Sequence, residues 1–144
     1  MIDIRNINND SIQSYFQWLK DGRVLLNEYI EFELAREPGQ FNEEKIEEVY
    51  AEPRSLEINE KVSESQKQEW MSRYIEIGRT HSGEKICINI ENNLGVIYFY
   101  GWRYMEETPI YNIYGDIEEV NQYEVYGFRK VADNFTDFLS KLFS

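Results

Sequence analysis

Tyr74-Ile75-Glu76-Ile77-Gly78, then Thr80-His81-Ser82-Gly83, then Glu84-Lys85-Ile86-Cys87-Ile88-Asn89-Ile90, then Glu91-Asn92-Asn93-Leu94-Gly95, then Val96-Ile97-Tyr98-Phe99-Tyr100: this stretch decides the fold. Its first, third and fifth pieces are β-branched or aromatic. The pieces between them are polar and rich in Asn, Ser and Gly. That pattern predicts consecutive antiparallel strands around 74–77, 84–90 and 96–100. The Asn and Gly residues of the breaks adopt positive φ at low cost. In the middle strand Ile86, Ile88 and Ile90 share one face, and Lys85, Cys87 and Asn89 share the other. The last strand is apolar on both faces, which predicts a central position with cover on both sides. None of these residues proposes a reaction.

On the N-terminal side, Asp10 or Ser11 can cap a helix carrying Ile12, Tyr15, Phe16 and Leu19 on one face, with Gly22 ending it. Val24 to Leu34 reads as a strand, because Ile30, Phe32 and Leu34 alternate with Glu31 and Glu33; its first half also tolerates a helix. Glu37-Pro38-Gly39-Gln40 is a turn. Asn42 is expected to cap a short acidic helix, Glu43 to Tyr50, that turns Ile46, Val49 and Tyr50 inward. Pro53 should close that segment. Arg54 to Val62 alternates weakly and reads as a loop or an edge strand. Ser63 with Gln66 resembles a capping box that opens a helix through Trp70 and Met71.

On the C-terminal side, Gly101-Trp102-Arg103-Tyr104 leads into a long connection from Met105 to Phe128. It carries Glu106, Glu107, Asp116, Glu118, Glu119 and Glu124, and no Lys or Arg lies between Tyr104 and Phe128. Tyr104, Tyr111, Tyr114, Tyr123 and Tyr126 are interspersed, and Pro109 to Tyr114 can pair as a further strand. Tyrosines supply rigid contact area with a polar tip, and carboxylates supply complementary charge. Any one tyrosine fits an ordinary sheet position; the patch as a whole reads as a binding surface. The chain then closes on a helix over 134–142, capped by Asn134, in which Phe135, Phe138, Leu139, Leu142 and Phe143 follow helical spacing. This helix is expected to cover one face of the sheet.

The 144 residues fit one domain, 1–144, of α+β class: a mainly antiparallel sheet of about four to six strands with helices packed against it. The formal net charge is −12. Such a charge repels nucleic acid and anionic membrane surfaces and favours basic partners. It also keeps a monomer or weak dimer in solution. The single cysteine, Cys87, cannot form an internal disulfide, so a reducing cytoplasm is the expected compartment. Met1 to Asn9 lacks the basic and apolar regions of a secretory signal. No apolar run is long enough to span a membrane.

Two pieces together resemble the SUKH superfamily, the Smi/Knr-like domain. The first is the entry Ile77-Gly78 with Gly83-Glu84, the strand around Cys87 and Asn89, and Gly95-Val96 with Tyr98-Phe99. The second is Val131-Ala132 with Phe135, Phe138 and Leu139. The similarity covers roughly the C-terminal half. The family's usual N-terminal motif is echoed only by Ser14 to Gly22; Asn89 stands where Asp is common, and Asn134 where Ser is common. The resemblance implies a single α+β domain without catalytic machinery. It also implies, as for many bacterial members, an immunity protein that binds and neutralises a cognate toxin of a polymorphic or contact-dependent system. Nuclease toxins are commonly basic because they hold phosphates, and an acidic, tyrosine-bearing surface complements them.

The residues expected to bind the partner are Trp102, Tyr104, Glu106, Glu107, Tyr111, Tyr114, Asp116, Glu118 and Glu119. No catalytic residue, metal ligand or cofactor is expected. His81, the only histidine, falls in a turn, and Cys87 falls in mid-strand, where a thiol is inert. Glu43, Glu44, Glu47 and Glu48 lack the loop and glycine of a calcium site and read as a solvated face. No phosphate-cradling Gly-rich motif is present. Two other readings stand beside immunity: a regulatory or scaffold interaction module, and a glycan-binding domain using Trp102 and its neighbouring tyrosines.

Overall fold

Period-2 patterning is realised in a meander. The computed structural model describes residues 3–25, 27–33, 39, 41–60, 62–102 and 126–144. The strands are β1 (Tyr29–Glu33), β2 (Phe41–Ser55), β3 (Tyr74–Thr80), β4 (Lys85–Asn89), β5 (Ile97–Trp102) and β6 (Tyr126–Ala132). They form one six-stranded sheet in chain order, antiparallel at every junction. Helices α1 (Asp10–Lys20) and α3 (Phe135–Ser140) pack on one face, and α2 (Glu64–Arg73) runs directly into β3. The class is therefore α+β with a mainly antiparallel sheet. Among the described residues, no helix is long and apolar enough to cross a membrane.

The alternation expected for the middle strands holds. Ile86, Ile88, Ile97 and Phe99 join the core beneath α1 and α3. Cys87, Tyr98 and Tyr100 join a second cluster, closed by Leu56, Val62 and Trp70. β5 is buried on both faces, with β4 and β6 as its neighbours. In the second cluster Tyr74 stacks on Phe128 at 3.9 Å between ring centres, and Trp70 meets Phe128 edge-on at 5.2 Å. Buried Asn89 organises the β4–β5 turn. Its Oδ1 accepts from Glu91 N–H at 2.9 Å and Asn93 N–H at 3.1 Å, which satisfies backbone donors that a turn would otherwise strand.

Asn9, rather than Asp10 or Ser11, caps α1: it is extended, and its Oδ1 accepts from Ile12 N–H at 3.1 Å. Asp10 is the first helical residue, where its charge suits the helix dipole. Ser11 serves tertiary structure. Its hydroxyl donates to Gly95 O at 2.6 Å and accepts from Phe135 N–H at 2.9 Å, so one side chain ties α1, the β4–β5 turn and α3 together. Ser63 caps α2 as expected, accepting from Gln66 N–H at 3.3 Å. Asn134 caps α3, accepting from Asp137 N–H at 2.8 Å.

Three segments depart from expectation. Glu43 to Tyr50 is not a helix but the body of β2, paired with β1 and β3. The register slips between Ile46 and Glu48 and again between Val49 and Arg54. Each slip inserts residues that break the period of two, so Ile46, Val49 and Tyr50 acquire the spacing of a helical face. Pro53 does not close the segment either; it sits inside the second irregular stretch, where a ladder N–H is not required. β1 spans only the end of the expected 24–34 strand: Asn27 takes φ 57°, and Val24 is 74% exposed. Leu34 and the turn 37–40, apart from Gly39, lie outside the described residues.

α3 ends at Ser140, and Phe143 leaves it to pair with β1. Tyr29 N–H donates to Phe143 O at 2.7 Å, and Phe143 N–H donates to Tyr29 O at 2.9 Å. Further along β1, Arg129 of β6 donates through Nε to Glu33 O, and Phe32 meets Phe99 edge-on at 5.3 Å. These contacts curl the sheet nearly into a barrel and partly cover the outer edge of β1.

Candidate partner-binding surface

In an antiparallel meander every second connection falls at the same end of the sheet. The pairs Glu33↔Phe41, Ile46↔Thr80, Lys85↔Tyr100 and Trp102↔Tyr126 place the β1–β2, β3–β4 and β5–β6 connections together. That end is acidic. Glu31, Glu33, Glu43, Glu44, Glu47, Glu48 and Glu84 all belong to it. Two basic side chains there are already engaged: Arg79 pairs with Glu48 at 3.6 Å, and His81 Nδ1 lies in hydrogen-bond contact with Glu47 at 2.9 Å. The His81 hydrogen bond lowers the pKa of the Glu47 carboxyl.

Between the 57–60 loop, the β3–β4 turn and the end of β5 lies a cleft of about 400 Å³, lined by Glu57, Glu60, Glu84, Lys85 and Tyr100 among others. Its wall is held by Glu76, a carboxylate only 2% exposed. Glu76 accepts from Tyr50 Oη at 2.7 Å and from Glu57 N–H at 3.2 Å, and Lys85 Nζ stands 3.8 Å away. A buried charge requires such partners to offset its lost hydration. Burial, then the Glu76 bond, raises the Tyr50 phenol pKa, so Tyr50 stays a donor. Asn59 N–H donates to Tyr100 Oη at 3.3 Å and fixes the far side of the loop. Burial, then the neighbouring Glu44 carboxylate, raises the Glu84 pKa to about 7. The Glu44 carboxylate in turn accepts from Ser82 Oγ at 3.1 Å.

Backbone pairing of Trp102 with Tyr126 fixes where the tyrosine-rich connection leaves the sheet and where it returns. The Trp102 side chain, together with Tyr104, Glu106, Glu107, Tyr111, Tyr114, Asp116, Glu118 and Glu119, lies outside the described residues, as does the expected 109–114 strand. The structure adds Glu57, Glu60 and Glu84, which the sequence reading passed over. Their signal was present only as isolated carboxylates in loops; Glu76 and Tyr100 are what bring them together.

Cys87 is fully buried, and burial with the nearby Glu76 charge raises its thiol pKa. His81 lies in the β3–β4 turn and bonds a carboxylate, not a nucleophile. Among the described residues no group of His, Cys, Asp and Glu is arranged to hold a metal ion. What this end of the molecule offers is negative charge, a shaped cleft and hydrogen-bond acceptors. Comparison with protein-family models, with curated proteins and with solved structures finds no match for the chain.

Proposed function

We propose that this chain is a non-enzymatic immunity protein that binds and neutralises a basic toxin domain, with the acidic end of the sheet as its binding surface. One observation carries the reading: the acidic connection, without Lys or Arg from Tyr104 to Phe128, is rooted by the Trp102↔Tyr126 pair at the end where the Glu57–Glu60–Glu84 cleft also opens. The resemblance to the SUKH superfamily and the net charge of −12 support it. Carboxylates at this end steer encounter with a basic partner, and Trp102, Tyr104, Tyr111 and Tyr114 act as anchors freed of water on binding. The partner is a protein; the same charge disfavours nucleic acid and anionic membranes. No cofactor takes part, and a cytoplasmic location fits neutralisation of a toxin that has entered the cell.

The test is co-expression with the product of the adjacent gene. The wild type should rescue growth. A variant carrying Glu106→Gln, Glu107→Gln, Glu118→Gln and Glu119→Gln should rescue less well and associate more slowly at low salt, with the difference shrinking at high salt. Trp102→Ala should speed dissociation, costing about 2 kcal/mol or more as a hot spot. Equal rescue and equal kinetics in all variants would place the interface elsewhere. If the neighbouring product is not toxic, or does not bind, the regulatory-module reading replaces immunity.

A further inference from the structure

We propose that the outer face of β1 and β2, centred on Phe41, is a docking surface for a segment of the protein partner that combines basic and apolar side chains. The inference rests on the reading of a basic partner given above and deepens it by assigning part of that acidic end, the β1–β2 strand face around Phe41, to a particular kind of partner segment. In the β1–β2 register Glu33 faces Phe41, Glu31 faces Glu43, and Tyr29 faces Lys45. Residues opposite one another in an antiparallel pair project to the same side. The other side of these strands puts Ile30, Phe32 and Ile46 into the core under the helices. The charged side therefore faces outward, and among the described residues neither apolar cluster extends over it.

Two features of that face are unfavourable for the isolated chain. Phe41 is 59% exposed, the most exposed Phe, Tyr or Trp side chain among the described residues. Beside it, Glu31 and Glu43 are both exposed and directly opposed, a like-charge pairing that destabilises a sheet. Glu33 and Glu47 add charge of the same sign, and Lys45 offsets part of it. A lysine or arginine resolves both features at once: its aliphatic stem lies over the phenyl ring, and its head reaches the carboxylates. An apolar neighbour on the same segment covers the rest of the ring. Charge complementarity selects this occupant. A second copy of a chain carrying −12 would bring like charge against like.

The platform is also held at its ends. Arg129 grips Glu33 O, and the Glu33 carboxylate accepts from Gly39 N–H at 2.7 Å. Phe143 pairs with Tyr29 at the other end of β1. A surface fixed at both ends loses little freedom on binding, which favours affinity.

The test is an amide-resolved NMR titration of the full chain with a short synthetic peptide alternating arginine and leucine; the same peptide with glutamate in place of arginine is the control. The expected result is that shifts concentrate at Glu31, Glu33, Phe41, Glu43 and Lys45, and that the control peptide does not bind. Affinity should fall about tenfold in Phe41→Ser, and by a similar factor in the Glu31→Gln, Glu43→Gln double variant. Shifts centred on the Glu57–Glu84 cleft or spread over the whole acidic surface would overturn the proposal. So would unchanged affinity in both variants, or shifts at these residues produced by protein concentration alone, which would mean self-association. Peptide binding here combined with a failed co-expression assay removes immunity and leaves the surface. Growth rescue combined with peptide shifts elsewhere does the reverse.

Discussion

Replacing Glu84 by glutamine should make the protein more stable at alkaline pH. In the fold Glu84 is partly buried beside Glu44, and its pKa stands at about 7 against an ordinary 4.5. The folded chain thus holds this proton more tightly than the unfolded chain. The stability it contributes is complete below the unfolded value, and it is lost as pH rises through the folded one. Fully ionised, a carboxyl perturbed that far opposes folding by at most about 3 kcal/mol; solvent screening at a partly exposed position brings this to about 1–2 kcal/mol. Glutamine mimics the protonated form. The gap between Glu84→Gln and wild type should therefore be near zero at about pH 4, widen through neutrality, and level off by about pH 8 in urea melts. A constant gap across that range, or a variant less stable than wild type at the alkaline end, would refute the argument. A guanidinium from a basic partner lying against Glu84 would remove the same penalty, so partner affinity at this cleft should rise with pH through neutrality.

Phe138 is fully buried against Phe135, so Phe138→Ala should cost about 3–5 kcal/mol in urea melts; a loss below about 1 kcal/mol would mean that the ring does not fill the core. Gly78 lies where β3 passes β2, and a Cβ there would stand 2.5 Å from Glu48 O and 3.3 Å from Val49 Cα. Both are backbone atoms, so Gly78→Ala should destabilise by about 1–3 kcal/mol through forced separation of the strands, and an unchanged denaturation midpoint would show that the sheet yields there.

What the sequence disclosed follows the range of the forces involved. The strands from Tyr74 to Tyr100 were legible because both turns between them are local and because β4 and β5 alternate cleanly, even though the β3–β4 register slips between Glu76 and Gly78. The caps at Ser63 and Asn134 were legible for the same reason: donor and acceptor lie three residues apart. β2 was not, because its bulges exist only in relation to β1 and β3, and they give a strand the spacing of a helix. Phe143 fitted the helical stripe of α3, yet it is claimed by a backbone partner at Tyr29. The proposed binding surface divides in the same way. The acidic run after Tyr104 is visible in one dimension. The cleft of Glu57, Glu60 and Glu84 is assembled by Glu76, a residue that in the sequence is merely the polar member of an alternating strand.

The Trp102↔Tyr126 pair has an evolutionary consequence. A connection whose two ends are already hydrogen-bonded neighbours asks nothing of the sheet about its own length. Doubling such a connection costs only about 0.6 kcal/mol of closure entropy. The stretch between these residues can therefore be lengthened, shortened or exchanged while β5 and β6 keep their register. If the proposed recognition role holds, this is the place where a descendant can change what it recognises without renegotiating how it folds.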